Sequence, residues 1–202
     1  QRTWEELLEV VRTGEPAFGR LHGGRDPWTW VAEEAPDMGR IFHDSMAELT
    51  RMTVPLLVAA HDFGRHPRIL DLGGGQGVLI AGILRAFPQV RGGIFDLKEA
   101  LAEAPKTLER EGVADRVELI EGNILAEIPT GWDAYLMKHI VHGMDDAALA
   151  TALGTVREGM APAARLLVLE MLVPGGDSGA RPALMGPQMH VPAGGRGRPV
   201  RE

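Results

Sequence analysis

The stretch Ile69-Leu70-Asp71-Leu72-Gly73-Gly74-Gly75-Gln76-Gly77 decides the fold. A short apolar run stops on an acid, passes through glycines and restarts as a helical pattern at Val78. This order predicts a strand, a tight turn and a helix N-terminus. Glycine tolerates the left-handed backbone of such a turn and lets a ligand approach the main chain. The first turn of a helix adds N–H groups with no intrahelical partner. Counted from Gly73, the G-x-G-x-x-G of dinucleotide enzymes fails at Val78. The pattern present is D-x-G-x-G-x-G, made by Asp71, Gly73, Gly75 and Gly77. A tight strand-to-helix turn with no ligand is the plainer alternative.

From Arg68 onward apolar runs alternate with helical patterns. Strands are predicted at 68–72, 91–95, 116–121, 132–137 and 165–171, and helices near 77–87, 98–110 and 145–160. Such alternation means an α/β fold, with a parallel sheet carrying helices on both faces. Ligands of such folds bind outside the carboxyl ends of the strands.

Residues 1–66 read as amphipathic helices. Thr3 and Glu6 make a capping-box pattern, with Trp4, Leu7, Leu8 and Val11 on one helical face. Gly14 and Pro16 stop that helix, and Asp26-Pro27 opens the next as N-cap and first-turn proline. Asp37 opens a longer one bearing Met38, Ile41, Phe42, Ser45, Met46 and Leu49, which Pro55 is expected to break or kink. Glycine and proline are dense at the other end of the chain. Three segments result: a helical segment 1–66, an α/β core 67–175 and an irregular tail 176–202.

Composition narrows the class. The 202 residues suit one domain with a substantial core, and 45% hydrophobic with 24% charged residues is ordinary for a globular protein. A net charge of −7 argues against nucleic-acid or anionic-membrane partners. With no cysteine there is no disulfide, thiolate metal site or cysteine nucleophile, which fits the cytoplasm. No apolar run is long enough to span a bilayer. The chain opens on Gln1 without an initiator Met or a signal pattern, so it is expected to be a fragment.

The candidate chemistry lies at strand ends. Asp96 closes the second strand, where an acid can accept hydrogen bonds from both ribose hydroxyls, or simply cap the next helix. Asn123 and Ile124 follow the third strand, as an adenine contact or a plain Gly-Asn turn. The fourth strand runs into Lys138-His139-Ile140-Val141-His142-Gly143-Met144-Asp145-Asp146. Two histidines at this spacing invite a metal reading, but no third ligand stands at a clear spacing. A neutral imidazole also suits removal of a proton from a hydroxyl. Glu170, after the fifth strand, could orient one histidine through its second nitrogen.

In order, D-L-G-G-G-Q-G, F-D-L, E-G-N, K-H-I-V-H-G-M-D-D and L-L-V-L-E resemble the S-adenosylmethionine (SAM)-dependent O-methyltransferases of the plant caffeic-acid type and their bacterial natural-product relatives. Val10 to Phe18 resembles that family's connection into its catalytic domain. The resemblance implies a Rossmann-like class I methyltransferase sheet preceded by an α-helical segment. It places Gly73, Gly74 and Gly75 near the methionine portion of SAM, Asp96 on the ribose, Asn123 and Ile124 about the adenine, and Lys138 as a further cofactor contact. His142 would be the general base and Glu170 its partner. Phe42, Met46 and His139 would line the substrate. The implied reaction methylates a hydroxyl, expected to be phenolic, of a small aromatic or polyketide-like natural product. It yields S-adenosylhomocysteine and needs no metal. The full-length protein would be a cytoplasmic homodimer.

This sequence departs from the family pattern. Gly143-Met144 replaces a common Asp-Trp, Asn123 stands where Asp is usual, and Gly197 occupies the place of a second acid. An N-terminal dimerisation domain and a C-terminal helix and strands are not matched, so the fifth strand is expected to present an open edge. Three alternatives stay open: a SAM-binding member that no longer methylates, a non-catalytic interaction fragment, and a nicotinamide dehydrogenase, which the glycine spacing opposes.

Overall fold

The computed structural model describes residues 2–25, 27–171, 189–191 and 194–195. These form two compact units. One comprises Asp37–Lys138 and Thr151–Leu169; the other comprises Gln1–Pro36, His139–Ala150 and Glu170–Glu202. Helices in chain order are α1 (Arg2–Glu5), α2 (Leu7–Thr13), α3 (Ala17–Leu21), α4 (Pro27–Glu34), α5 (Pro36–Ala60), α6 (Val78–Ala86), α7 (Lys98–Leu101), α8 (Ala104–Arg110) and α9 (Asp146–Gly159). Strands are β1 (Arg68–Leu72), β2 (Arg91–Asp96), β3 (Val117–Glu121), β4 (Ala134–Lys138) and β5 (Arg165–Leu169).

The first unit holds the sheet. All pairings are parallel and the order is β3-β2-β1-β4-β5. β1 is central, with Asp71 opposite Ile94 on one side and Leu136 on the other. Each predicted strand and sheet helix is present with small shifts at its ends. Helix 98–110 is split into α7 and α8, because Pro105 suits only the first turn of a new helix. Ile69, Leu70, Leu72, Ile80, Ile83, Leu84, Ile94 and Leu136 are fully buried. Each contributes about 1.5–3 kcal/mol by leaving water. Gly93 leaves room on β2 for the Trp132 ring, which also carries Arg68 above it, 4.6 Å from the ring centroid. β5 pairs with β4 alone among the described residues, and its Val168 is exposed.

Of the two outcomes expected at Pro55, a break does not occur: α5 runs through it as one helix. Val54, Leu57 and Val58 beside it pack on the sheet core, which offsets the lost backbone hydrogen bond. Along this helix Thr50 and Thr53 donate to the carbonyls of Met46 and Leu49.

In the second unit the amino-terminal helices depart from the capping-box reading. Thr3 lies inside α1, and Glu6 is a junction residue without a side-chain cap bond. Its carboxylate meets Arg20 at 3.3 Å instead. Trp4, Leu7, Leu8 and Val11 are exposed, while Val10 is buried with Ala17 and Val191. Periodicity located the helix, but could not say which stripe is covered. Gly14 ends α2 in the left-handed conformation at φ 74°. Asp145 caps the following turn, its Oδ1 accepting the Ala148 N–H at 2.8 Å. Among the described residues no helix is long and apolar enough to cross a membrane. Asp26, Gly197 and most of the tail 176–202 lie outside the described residues.

Candidate active site

The sheet unit carries the glycine turn. Gly73, Gly75 and Gly77 hold φ of 73°, 52° and 78°, a region open to glycine and strained for other residues. Gly74 is required by proximity: a Cβ there would lie 2.8 Å from Asp71 Oδ2 and 2.9 Å from Ile94 Cγ2. Around Gly75 the turn is open, the nearest atom to a Cβ being Asp96 Oδ2 at 4.0 Å.

Asp96 staples this turn. Its Oδ2 accepts the Gly75 N–H and its Oδ1 the Leu97 N–H, both at 2.8 Å. Burial pushes its carboxyl above the usual range, and these two N–H groups oppose the shift. The helix-cap alternative is not realised: α7 starts at Lys98 with Leu97 as its N-cap and no side-chain cap bond, and Asp96 meets only the Leu97 N–H ahead of it. A carboxylate offers about four acceptor sites, so two remain for a diol. An open glycine main chain beside a carboxylate with spare acceptor capacity fits a nucleoside-bearing cofactor.

Asp71 is buried at 2% exposure. Burial raises its carboxyl to about 7, with Asp96 adding to the rise and the Lys138 ammonium opposing it. Lys138 Nζ donates to Thr50 Oγ1 at 3.1 Å, and Gln76 Nε2 to Asp44 Oδ1 at 2.7 Å. Thr50, Gln76 and Asp44 carried no sequence signal beyond being polar on a helix or turn. Asn123 is exposed, and its Oδ1 accepts the Leu125 N–H at 2.9 Å, the turn alternative; Ile124 is half-buried. Phe42 and Met46 lie on α5, Phe42 exposed and Met46 half-buried.

The second unit brings three other residues together. Glu170 Oε2 lies 2.7 Å from His142 Nδ1 and 3.4 Å from His139 Nδ1. Glu170 Oε1 accepts the His142 backbone N–H at 3.2 Å. The expected carboxylate–histidine contact is thus present, with a second imidazole beside it. The side chains of Glu170 and His142 are 11% and 14% exposed, enough shielding to strengthen the pair. Burial alone would raise the Glu170 carboxyl, but hydrogen bonds from His139 and His142 outweigh it and hold it at about 2. His142 sits in a single 3-10 turn, Val141–Gly143. His139 has φ 57°, the only non-glycine residue with positive φ among those described. That conformation costs about 1–3 kcal/mol, a strain typical of functional positions. Gly195 packs on the same turn: a Cβ there would collide with the His142 carbonyl oxygen.

Comparison with known proteins adds an independent line. A family model described as an O-methyltransferase domain matches residues 4–202. O-demethylpuromycin-O-methyltransferase of Streptomyces alboniger is 37% identical, covering 100% of this chain and 54% of its own. An 8-amino-8-demethylriboflavin N,N-dimethyltransferase of Streptomyces davaonensis is 34% identical over 83% of this chain and 49% of its own. Among solved structures, the mitomycin 7-O-methyltransferase MmcR superposes with a TM-score of 0.92 at 33% identity, covering 99% of this chain and 58% of that one. The chain spans about half the length of the curated relatives it matches. With the parallel sheet, the glycine turn and the family match over nearly its full length, the chain belongs to the O-methyltransferase family.

Proposed function

We propose that the protein transfers a methyl group from SAM to a hydroxyl, phenolic in character, of a small aromatic natural product. The observation that carries this reading is the 2.7 Å contact between His142 Nδ1 and Glu170 Oε2. With Nδ1–H donating to the carboxylate, the lone pair of a neutral imidazole is on Nε2, the nitrogen that takes a substrate proton. Glu170 fixes that tautomer and stabilises the imidazolium that follows. SAM supplies an already activated methyl group on sulfonium sulfur and leaves as S-adenosylhomocysteine. Gly73, Gly74, Gly75, Asp96, Asn123, Ile124 and Lys138 would hold it, the fit resting on the open turn and the spare acceptors of Asp96. Phe42, Met46 and His139 would line the substrate.

We further infer a cytoplasmic homodimer for the full-length protein. The exposed apolar residues Met38, Ile41, Leu49, Met52 and Leu56 of α5 support burial against further chain. The N,N-dimethyltransferase relative favours a second reading, transfer to an aromatic amine, in which a base is needed only to collect a proton.

Labelled SAM offered with a panel of phenols and aromatic amines tests the reading. Labelled phenol ethers are expected from the unaltered chain and not from His142→Ala. Labelled amines alone would favour the second reading. No product, with S-adenosylhomocysteine still raising the unfolding midpoint, would point to a binding protein that no longer methylates.

A further inference from the structure

The structure supplies the third ligand that the His139–His142 spacing lacked. Ligand atoms of His139, His142 and Glu170 all lie within 4.8 Å of one another. Two imidazoles and one carboxylate are a familiar donor set for zinc, bound as three protein ligands with a fourth position left for water. At Zn–N and Zn–O distances near 2.0–2.1 Å, neighbouring donors on a tetrahedral ion stand about 3.3 Å apart. His139 Nδ1 and Glu170 Oε2, at 3.4 Å, already have that separation. The His142 Nδ1–Glu170 Oε2 pair, at 2.7 Å, must open by roughly 0.6 Å, a small turn of the carboxylate. Glu170 Oε1 keeps hold of the His142 backbone N–H. The site is reachable, since 26% of the His139 side chain is exposed.

We propose that His139, His142 and Glu170 form a binding site for a zinc-like divalent cation, and that its occupation switches the base off. The switch follows from the tautomer. A cation on Nδ1 of a neutral imidazole leaves the single ring proton on Nε2. His142 then presents an N–H where it presented a lone pair, and no proton is released. The inhibitory consequence rests on His142 being the base; the binding site itself does not. A second histidine pair, His61 and His66, brings its Nε2 atoms to 3.4 Å, but in the cavity they line two guanidinium groups, Arg65 and Arg165, outnumber the one carboxylate, Asp133, which already accepts the Arg68 N–H.

The test is a zinc titration of the whole chain against a chromophoric chelator, with His139→Asn, Glu170→Gln and His61→Ala beside it. Asn tolerates the positive φ of position 139, and Glu170→Gln keeps the side-chain shape, so folding is preserved in at least one ligand variant. One equivalent of zinc is expected in the unaltered chain and in His61→Ala. Weakening by roughly tenfold or more is expected in both ligand variants. Failure to take zinc from the chelator would overturn the site. So would zinc binding that survives His139→Asn and Glu170→Gln but is lost in His61→Ala. The titration needs no turnover, so absence of methyl transfer would sink the proposed activity and leave this result standing.

Discussion

Glu170 holds His142 at two points, Oε2 against the ring Nδ1 at 2.7 Å and Oε1 against the backbone N–H at 3.2 Å. The backbone contact fixes the carboxylate, so the ring cannot turn without giving up its Nδ1 contact. His142→Ala is therefore expected to lower methyl transfer by about 10²–10⁴-fold, the usual worth of a positioned base. The rise in unfolding midpoint with S-adenosylhomocysteine should remain. Glu170→Gln should lose less, because the amide oxygen can still accept from Nδ1. Retained activity in His142→Ala would remove the base role altogether.

Asp96 couples the glycine turn to the end of β2, since one carboxylate accepts from Gly75 and from Leu97. Asp96→Ala should lower stability by about 1–3 kcal/mol by leaving the Gly75 N–H without its acceptor. Asp96→Asn separates turn from ligand. Its single carbonyl oxygen can keep one N–H but not serve a diol as well. Binding of S-adenosylhomocysteine, followed by calorimetry, should weaken about tenfold or more in Asp96→Asn, with a smaller loss of stability than in Asp96→Ala because one of the two N–H contacts is kept. Wild-type affinity in that variant would confine Asp96 to shaping the backbone.

Much of this arrangement was legible in the chain, because its periods are local. The apolar runs ending at Leu72, Asp96 and Glu121 gave strands, and Pro105 marks where a predicted helix divides. The burial of Val10 rather than Val11 was not legible, since it depends on Ala17 and Val191. At Pro55 the sequence left a break and a kink open, and the packing of Val54, Leu57 and Val58 on the core keeps the helix unbroken. At the site, His142 and Glu170 could be suspected from their strand ends. That Glu170 also meets His139 depends on the left-handed backbone of residue 139, which no pattern encodes.

Asp71 makes the fold sensitive to pH. Its carboxyl is raised to about 7 in the folded chain, against an ordinary 3.8. Between these values the folded state holds the extra proton, so Asp71 favours folding at low pH. That contribution is complete below about pH 4 and is lost as pH rises through 7. Asp71→Asn cannot ionise and should flatten the dependence. Relative to wild type, its unfolding midpoint should be higher at about pH 8.5 than at about pH 5. Parallel losses in both proteins between these pH values would show that Asp71 is not the group responsible.

Gly195 tests whether the His142 turn must be held from behind. It is buried, and a Cβ there would meet the His142 carbonyl oxygen and come within 3.0 Å of Gly143 C and Cα. These are backbone atoms, which cannot swing aside as a flexible side chain does. Gly195→Ala must therefore displace the turn or the segment bearing residue 195, at a cost of about 1–3 kcal/mol. Gly143→Ala is the matched control, because a Cβ there meets nothing within 4 Å. Gly195→Ala is expected to reduce kcat at least several-fold while the shift with S-adenosylhomocysteine persists, and Gly143→Ala to behave like wild type. If Gly195→Ala loses stability but keeps its kcat, the segment yields and the turn holds itself through Glu170. If kcat falls with little loss of stability, the turn yields, and the position of His142 depends on a residue with no side chain.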